Sequence, residues 1–120
     1  MKHKKIKAGV VQATPALFDI EKTIEIILYW LDKAVKEKCE LLLFPESFIP
    51  CYPRGLSFDA VIGKRSMKSR DNWLEYWENS LDVNSTHFEL LRAAIKKAGI
   101  FVGLGVTERE SVGGSLFCTL

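Results

Sequence analysis

Apolar residues recur every three or four positions at Ile20, Ile24, Ile27, Leu28, Leu31 and Val35, which predicts one helix with a single apolar face. Asp19 stands where an N-cap belongs, Glu21 suits the positive end of the helix, and Lys36 and Lys38 suit the negative end. A second helix follows from Phe88, Leu91 and Ile95, opened by a Thr86–Glu89 capping box and stopped by Gly99. Arg70 to Leu81 places Trp73 and Trp77 four apart with Tyr76 beside them, a further amphipathic segment. Other stretches have a different pattern. Ile6 to Gln12 is short and β-branched and runs into Thr14-Pro15, a strand and a turn. Leu41 to Phe44 is continuously apolar and too short for a helix, so it predicts a strand buried on both faces of a parallel sheet, ended by Pro45. Ser47 to Phe58 is loop, punctuated by Pro50, Pro53 and Gly55. Ile100 to Val106 is another buried strand, Gly113-Gly114 a turn, and Leu116 to Leu120 the start of a strand that the end of the chain cuts short.

The order strand, helix, strand, helix, strand, strand is that of an α/β protein with right-handed crossovers. Helices then cover one face of the sheet and leave the other apolar, to be covered by further sequence or another sheet. The 120 residues suffice to bury a core, and 48% hydrophobic with 27% charged residues is ordinary for a globular chain. A net charge of +2 gives no reason to expect nucleic acid or an anionic membrane as partner. Lys2, Lys4, Lys5 and Lys7 read as a solvated basic start, too poor in apolar residues for a secretory signal. Ile26 to Leu31 falls far short of the ~20 apolar residues of a membrane span. Cys39, Cys51 and Cys118 have neither metal-type nor CxxC spacing, and an odd number without an export signal points to free thiols in the cytoplasm. His3 and His87 have no partners at ligand spacing, so no metal is expected. Trp73, Tyr76 and Trp77 read as packing residues rather than a stacking platform for bases.

Glu46 carries the chemistry. It directly follows a buried strand, at the carboxyl end where open α/β sheets place ligands. Position alone favours an ordinary surface glutamate; its neighbours shift that balance. LLLFPESFIPCYPRG, Leu41 to Gly55, resembles the glutamate signature of the nitrilase family of carbon–nitrogen hydrolases, matched at Phe44, Pro45, Glu46, Ile49, Tyr52 and Pro53. KAGVVQATP (Lys7 to Pro15) resembles the family's first strand and turn, and RGLSF (Arg54 to Phe58), GKRS (Gly63 to Ser66) and YWENS (Tyr76 to Ser80) resemble the nitrilase branch. There are two departures: Cys51 stands where the family has a glycine before Tyr-Pro, and Lys38 where it often has one after the first helix. If a positive φ is required at 51, cysteine strains the loop.

The resemblance implies the amino-terminal part of an α-β-β-α two-sheet sandwich, with residues 1–120 a partial domain that stops before the catalytic lysine and the nucleophilic cysteine. Glu46 is then the proton acceptor, with Tyr52 as a substrate-binding residue or simply a packing aromatic, and Arg54 a solvated loop residue. Cys39 and Cys118 are expected to be packing residues rather than nucleophiles, and Cys51 fills a glycine slot. The implied reaction converts a nitrile to a carboxylic acid and ammonia without a cofactor, in a homo-oligomer at full length. The alternatives are an amidase of the same family and a non-catalytic truncated α/β module. The 120 residues by themselves are expected to be inactive and poorly soluble.

Overall fold

A computed structural model describes residues 3–58, 60, 62–63 and 66–120; Lys2, Lys64 and Arg65, named above, lie outside them. In chain order the elements are β1 (Ala8–Val10), α1 (Ile20–Lys36), β2 (Leu41–Leu43), α2 (Met67–Glu78), α3 (Thr86–Ala98), β3 (Phe101–Gly103), β4 (Val106–Arg109) and β5 (Leu116–Thr119). β1, β2 and β3 form a parallel sheet in that order, and β4 and β5 an antiparallel pair. The chain is α/β, as the alternation of patterns predicts.

α1 begins where expected: the Asp19 side chain accepts a hydrogen bond from the Lys22 N–H at 3.0 Å. Its buried face comprises Ile20, Thr23, Ile24, Ile27, Leu31 and Ala34. Val35, expected inside, is 41% exposed, and the smaller Ala34 takes the inward position. Thr23 is fully buried although polar. Its hydroxyl accepts from the Ala16 N–H and donates to the Ala16 carbonyl, both at 3.1 Å, so it fastens the turn after β1 to the helix. At the other end Lys38 has φ 57, and the N–H groups of Lys38 and Cys39 donate back to Val35 and Ala34 carbonyls. A glycine adopts that left-handed conformation without penalty.

The other two helices each correct a boundary. α3 is capped by Ser85, whose hydroxyl accepts from the Phe88 N–H; Thr86 is its first helical residue, and Glu89 pairs with Arg92 at 2.7 Å instead of closing a capping box. Gly99 ends it at φ 68, as its position predicts. α2 runs from Met67 to Glu78 rather than from Arg70 to Leu81. Leu81 leaves the helix because its backbone joins β4: its N–H donates to Thr107 and its carbonyl accepts from Arg109, both at 2.9 Å.

The sheet has one covered face. Gly9, Leu42 and Val102 share a register row, and Leu42 is buried in a core with Ile27, Leu31 and Leu91 from α1 and α3. The opposite face holds Val10 and Leu43 in one row and Phe101 in the next, and these are 73%, 38% and 80% exposed. Leu41 to Phe44 is therefore buried on one face, not two, because both packed helices lie on the same side. The basic start is also less free than expected. Lys4 pairs with Glu40 at 2.9 Å and Lys7 with Glu37 at 3.2 Å, exposed contacts worth about 0–1 kcal/mol each. Among the described residues no helix is long and apolar enough to cross a membrane.

The predicted strand from Ile100 to Val106 is divided in two. A Cβ on Gly103 would lie 2.7 Å from Leu43 Cδ2, and one on Gly105 would lie 2.5 Å from the Pro45 carbonyl oxygen. The backbone here approaches the end of β2 more closely than a side chain permits, bends through Leu104, and continues as β4. That bend shapes the site.

Candidate active site

Beyond β2 the chain stays tied to the segment that bends past it. The Phe44 N–H donates to the Gly103 carbonyl at 2.8 Å, the Phe48 N–H to Gly105 at 2.7 Å, and the Thr107 N–H to Ile49 at 2.8 Å. Three residues, Pro45, Glu46 and Ser47, thus lie opposite one, Leu104, and must bow outward; Ser47 turns the corner at φ 46. Phe44, Ser47, Phe48 and Ile49 are buried on either side, with the Phe44 and Phe48 rings 5.2 Å apart, while Glu46 is exposed. The bow places the carboxylate at the carboxyl end of the middle parallel strand, where the sequence predicts it.

Buried hydroxyls lie under the bow. Thr107 Oγ1 donates to Ser47 Oγ at 3.3 Å and lies 2.8 Å from the Tyr76 hydroxyl. With its one proton given to Ser47, Thr107 accepts at the Tyr76 contact, so the phenol is the donor there. Burial pushes the Tyr76 phenol above its usual range. The Tyr76 ring packs edge-on against Phe18 at 5.5 Å and lies 5.3 Å from Phe58, which also meets Trp73; Arg109 sits over Trp77 at 4.3 Å. These aromatics hold α2 to the loop and to β4, in keeping with the packing role read from their spacing.

The cysteines have different surroundings. Cys39 is buried against Gly9, as a packing residue should be. Cys118, expected to pack, is instead exposed, and its S–H donates to Glu46 Oε1 at 3.5 Å. It reaches the site because β5 pairs with β4 in a register that sets Cys118 opposite Thr107. The register depends on the connection at 110–115, and no sequence pattern specifies it. The bond to Glu46, then burial, then the charge of that carboxylate raise the Cys118 thiol above its ordinary value. A thiol held protonated in this way is not poised as a nucleophile.

Cys51 has φ 88, so the loop does need a residue tolerant of the left-handed region where the family has glycine. Burial pushes its thiol up as well. Replacing Cys51 by glycine is expected to stabilise the chain by about 0.5–1 kcal/mol, the relieved strain outweighing the extra freedom of glycine when unfolded. A urea midpoint that does not rise would show that the loop absorbs the strain elsewhere. Tyr52 is 59% exposed and shares no hydrogen bond with Glu46 among the described residues; Arg54 is exposed beside it. Among the described residues no three His, Cys, Asp or Glu side chains are grouped to hold a metal ion.

Fold and site together define an α/β protein that presents a carboxylate at a strand end, over buried hydroxyls. The sequence pattern of the carbon-nitrogen hydrolases matches residues 7–120, and the chain belongs to that family. Its similarity is to the nitrilase branch. It is 36% identical over 115 residues to an aliphatic nitrilase of Sinorhizobium fredii, covering 96% of this chain and 37% of that protein. It is 33% identical to a bifunctional nitrilase/nitrile hydratase of Nicotiana tabacum, over 96% of this chain and 32% of that one. An arylacetonitrilase of Trametes versicolor is likewise 33% identical, over 95% of this chain and 35% of its own length. The chain thus spans about a third of the length of these relatives.

Proposed function

We propose that residues 1–120 form the glutamate-bearing part of a nitrilase that converts a nitrile to a carboxylic acid and ammonia. The observation that carries this reading is Glu46, lifted clear of the strand end by backbone bonds on both sides while Phe44, Ser47 and Phe48 stay buried. In this reading the nucleophilic cysteine and the lysine come from sequence beyond these residues. A free thiol has a pKa of about 8.5 and is mostly protonated near neutrality, so it needs a base. Glu46 takes the thiol proton as sulfur attacks the nitrile carbon to form a thioimidate. It then activates water and returns protons to the departing ammonia. The lysine stabilises charge on the tetrahedral species. No cofactor enters these steps, and the complete protein is cytoplasmic and homo-oligomeric.

Family membership supports carbon–nitrogen hydrolysis more strongly than it supports a particular electrophile, because an amidase shares the nucleophile chemistry. The separating experiment measures ammonia release from matched nitrile and amide substrates by the polypeptide extended to family length. Turnover of the nitrile is expected; turnover of the amide alone would move the assignment to the amidase branch. The 120 residues alone are expected to release no ammonia from either substrate and to precipitate readily, since Val10, Leu43 and Phe101 leave an apolar sheet face open. Robust turnover by that chain would refute the division of the site.

A further inference from the structure

We propose that the Thr107–Cys118 rung of the β4–β5 pair is the positioning element for Glu46, with Thr107 holding the corner of the bow through Ser47 and Cys118 holding the carboxylate itself. The inference rests on reading Glu46 as the base. Directly opposed residues of an antiparallel pair share a face, so both side chains reach the bow from one side. One arm is the Thr107 hydroxyl on Ser47 at 3.3 Å, backed by Tyr76 at 2.8 Å; the other is the Cys118 thiol on Glu46 Oε1 at 3.5 Å. Backbone bonds fix Glu46 only at Phe44 and Phe48, two residues away on each side, and leave its long side chain free to rotate. The rung removes that freedom. It engages Oε1, while Oε2 has no hydrogen bond among the described residues and stays open to a nucleophile's proton. A carboxylate set in place before substrate arrives loses less freedom in the reaction. The charged group acting on the thiol is Glu46 from the end of β2, and the thiol in turn faces the Tyr76 phenol of α2, which its ionised form would push up.

The test follows the alkylation of Cys118 by iodoacetamide in the folded protein extended to family length across pH, with peptide mass spectrometry separating it from Cys39, Cys51 and the other cysteines. The wild-type midpoint is expected above that of an ordinary thiol. Glu46→Gln removes the neighbouring charge, so the midpoint falls and alkylation at pH 8 speeds up roughly threefold or more. Thr107→Val keeps the β4–β5 ladder but loosens the bow, giving a smaller shift in the same direction, and Thr107→Ser restores the wild-type profile. A side chain that merely filled space would leave the midpoint unmoved in the valine variant. A Glu46→Gln profile superimposable on wild type overturns the proposal, and so does an unmoved valine profile in a chain whose circular dichroism shows it folded. Because Glu46→Gln alters an exposed residue, that arm stands even if the valine variant fails to fold. The titration needs no turnover. A shifted profile beside an inactive full-length enzyme would retain the pairing and reject only the role of Glu46 as base.

Discussion

Gly105→Ala is expected to destabilise the chain by about 3 kcal/mol, the sum of an overpacked contact and a lost backbone hydrogen bond. The added Cβ would lie 2.5 Å from the Pro45 carbonyl oxygen, 2.6 Å from Glu46 Cα and 3.0 Å from the Pro45 carbonyl carbon. All three are backbone atoms, so no rotamer change relieves the contact. The bow can only lift, and lifting it stretches the 2.7 Å bond from the Phe48 N–H to the Gly105 carbonyl. Gly114→Ala is the control: its Cβ would meet nothing within 4 Å, so its urea midpoint should stay close to wild type. Gly105→Ala should lower both the midpoint and the turnover of the enzyme extended to family length, the second because Glu46 moves with the bow. Equal midpoints for the two variants would mean that Gly105 does not lie against the backbone of Pro45 and Glu46.

The helices and the place of Glu46 were readable from local pattern; the shape around Glu46 was not. α1 follows from 3.6-residue periodicity and an Asp19 cap, both properties of adjacent residues. Glu46 follows from an apolar strand that a proline must end, and from the specific residues around it. By contrast, Gly103 and Gly105 look like ordinary members of an apolar strand, and only the proximity of Leu43 and Pro45 shows that they divide it. Thr23 looks like a polar interruption of an apolar face until Ala16 is seen to bond it twice. Cys118 illustrates the same limit. Its role follows from a strand register joined to a contact 72 residues away in sequence, and neither has a local signature. The long-range part of the site is thus the part that sequence pattern leaves open. The left-handed φ at Cys51 lies between these cases, since comparison with the family glycine marks the position without establishing the conformation.

The largest functional effect is expected at Glu46 itself. In the enzyme extended to family length, Glu46→Gln should lower kcat/KM for a nitrile by about 10²–10⁴-fold, the range for removal of a general base. The amide matches the acid in size and keeps an oxygen able to accept the Cys118 S–H, so the bow and its supports should survive. What it cannot do is take a proton. Without a base, attack must rely on the small fraction of nucleophile already ionised. The residual rate should therefore climb about tenfold per pH unit until the thiol ionises near pH 8.5, whereas the wild-type rate should vary less over the same range. This steep residual profile distinguishes loss of the base from loss of fold, since an unfolded variant gains nothing from added hydroxide. It also separates this variant from Gly105→Ala, in which the base remains but sits out of place, so that the rate falls without acquiring the slope. Nitrile turnover at the wild-type level in Glu46→Gln would mean that another group takes the thiol proton and that the bow at the end of β2 serves some other purpose.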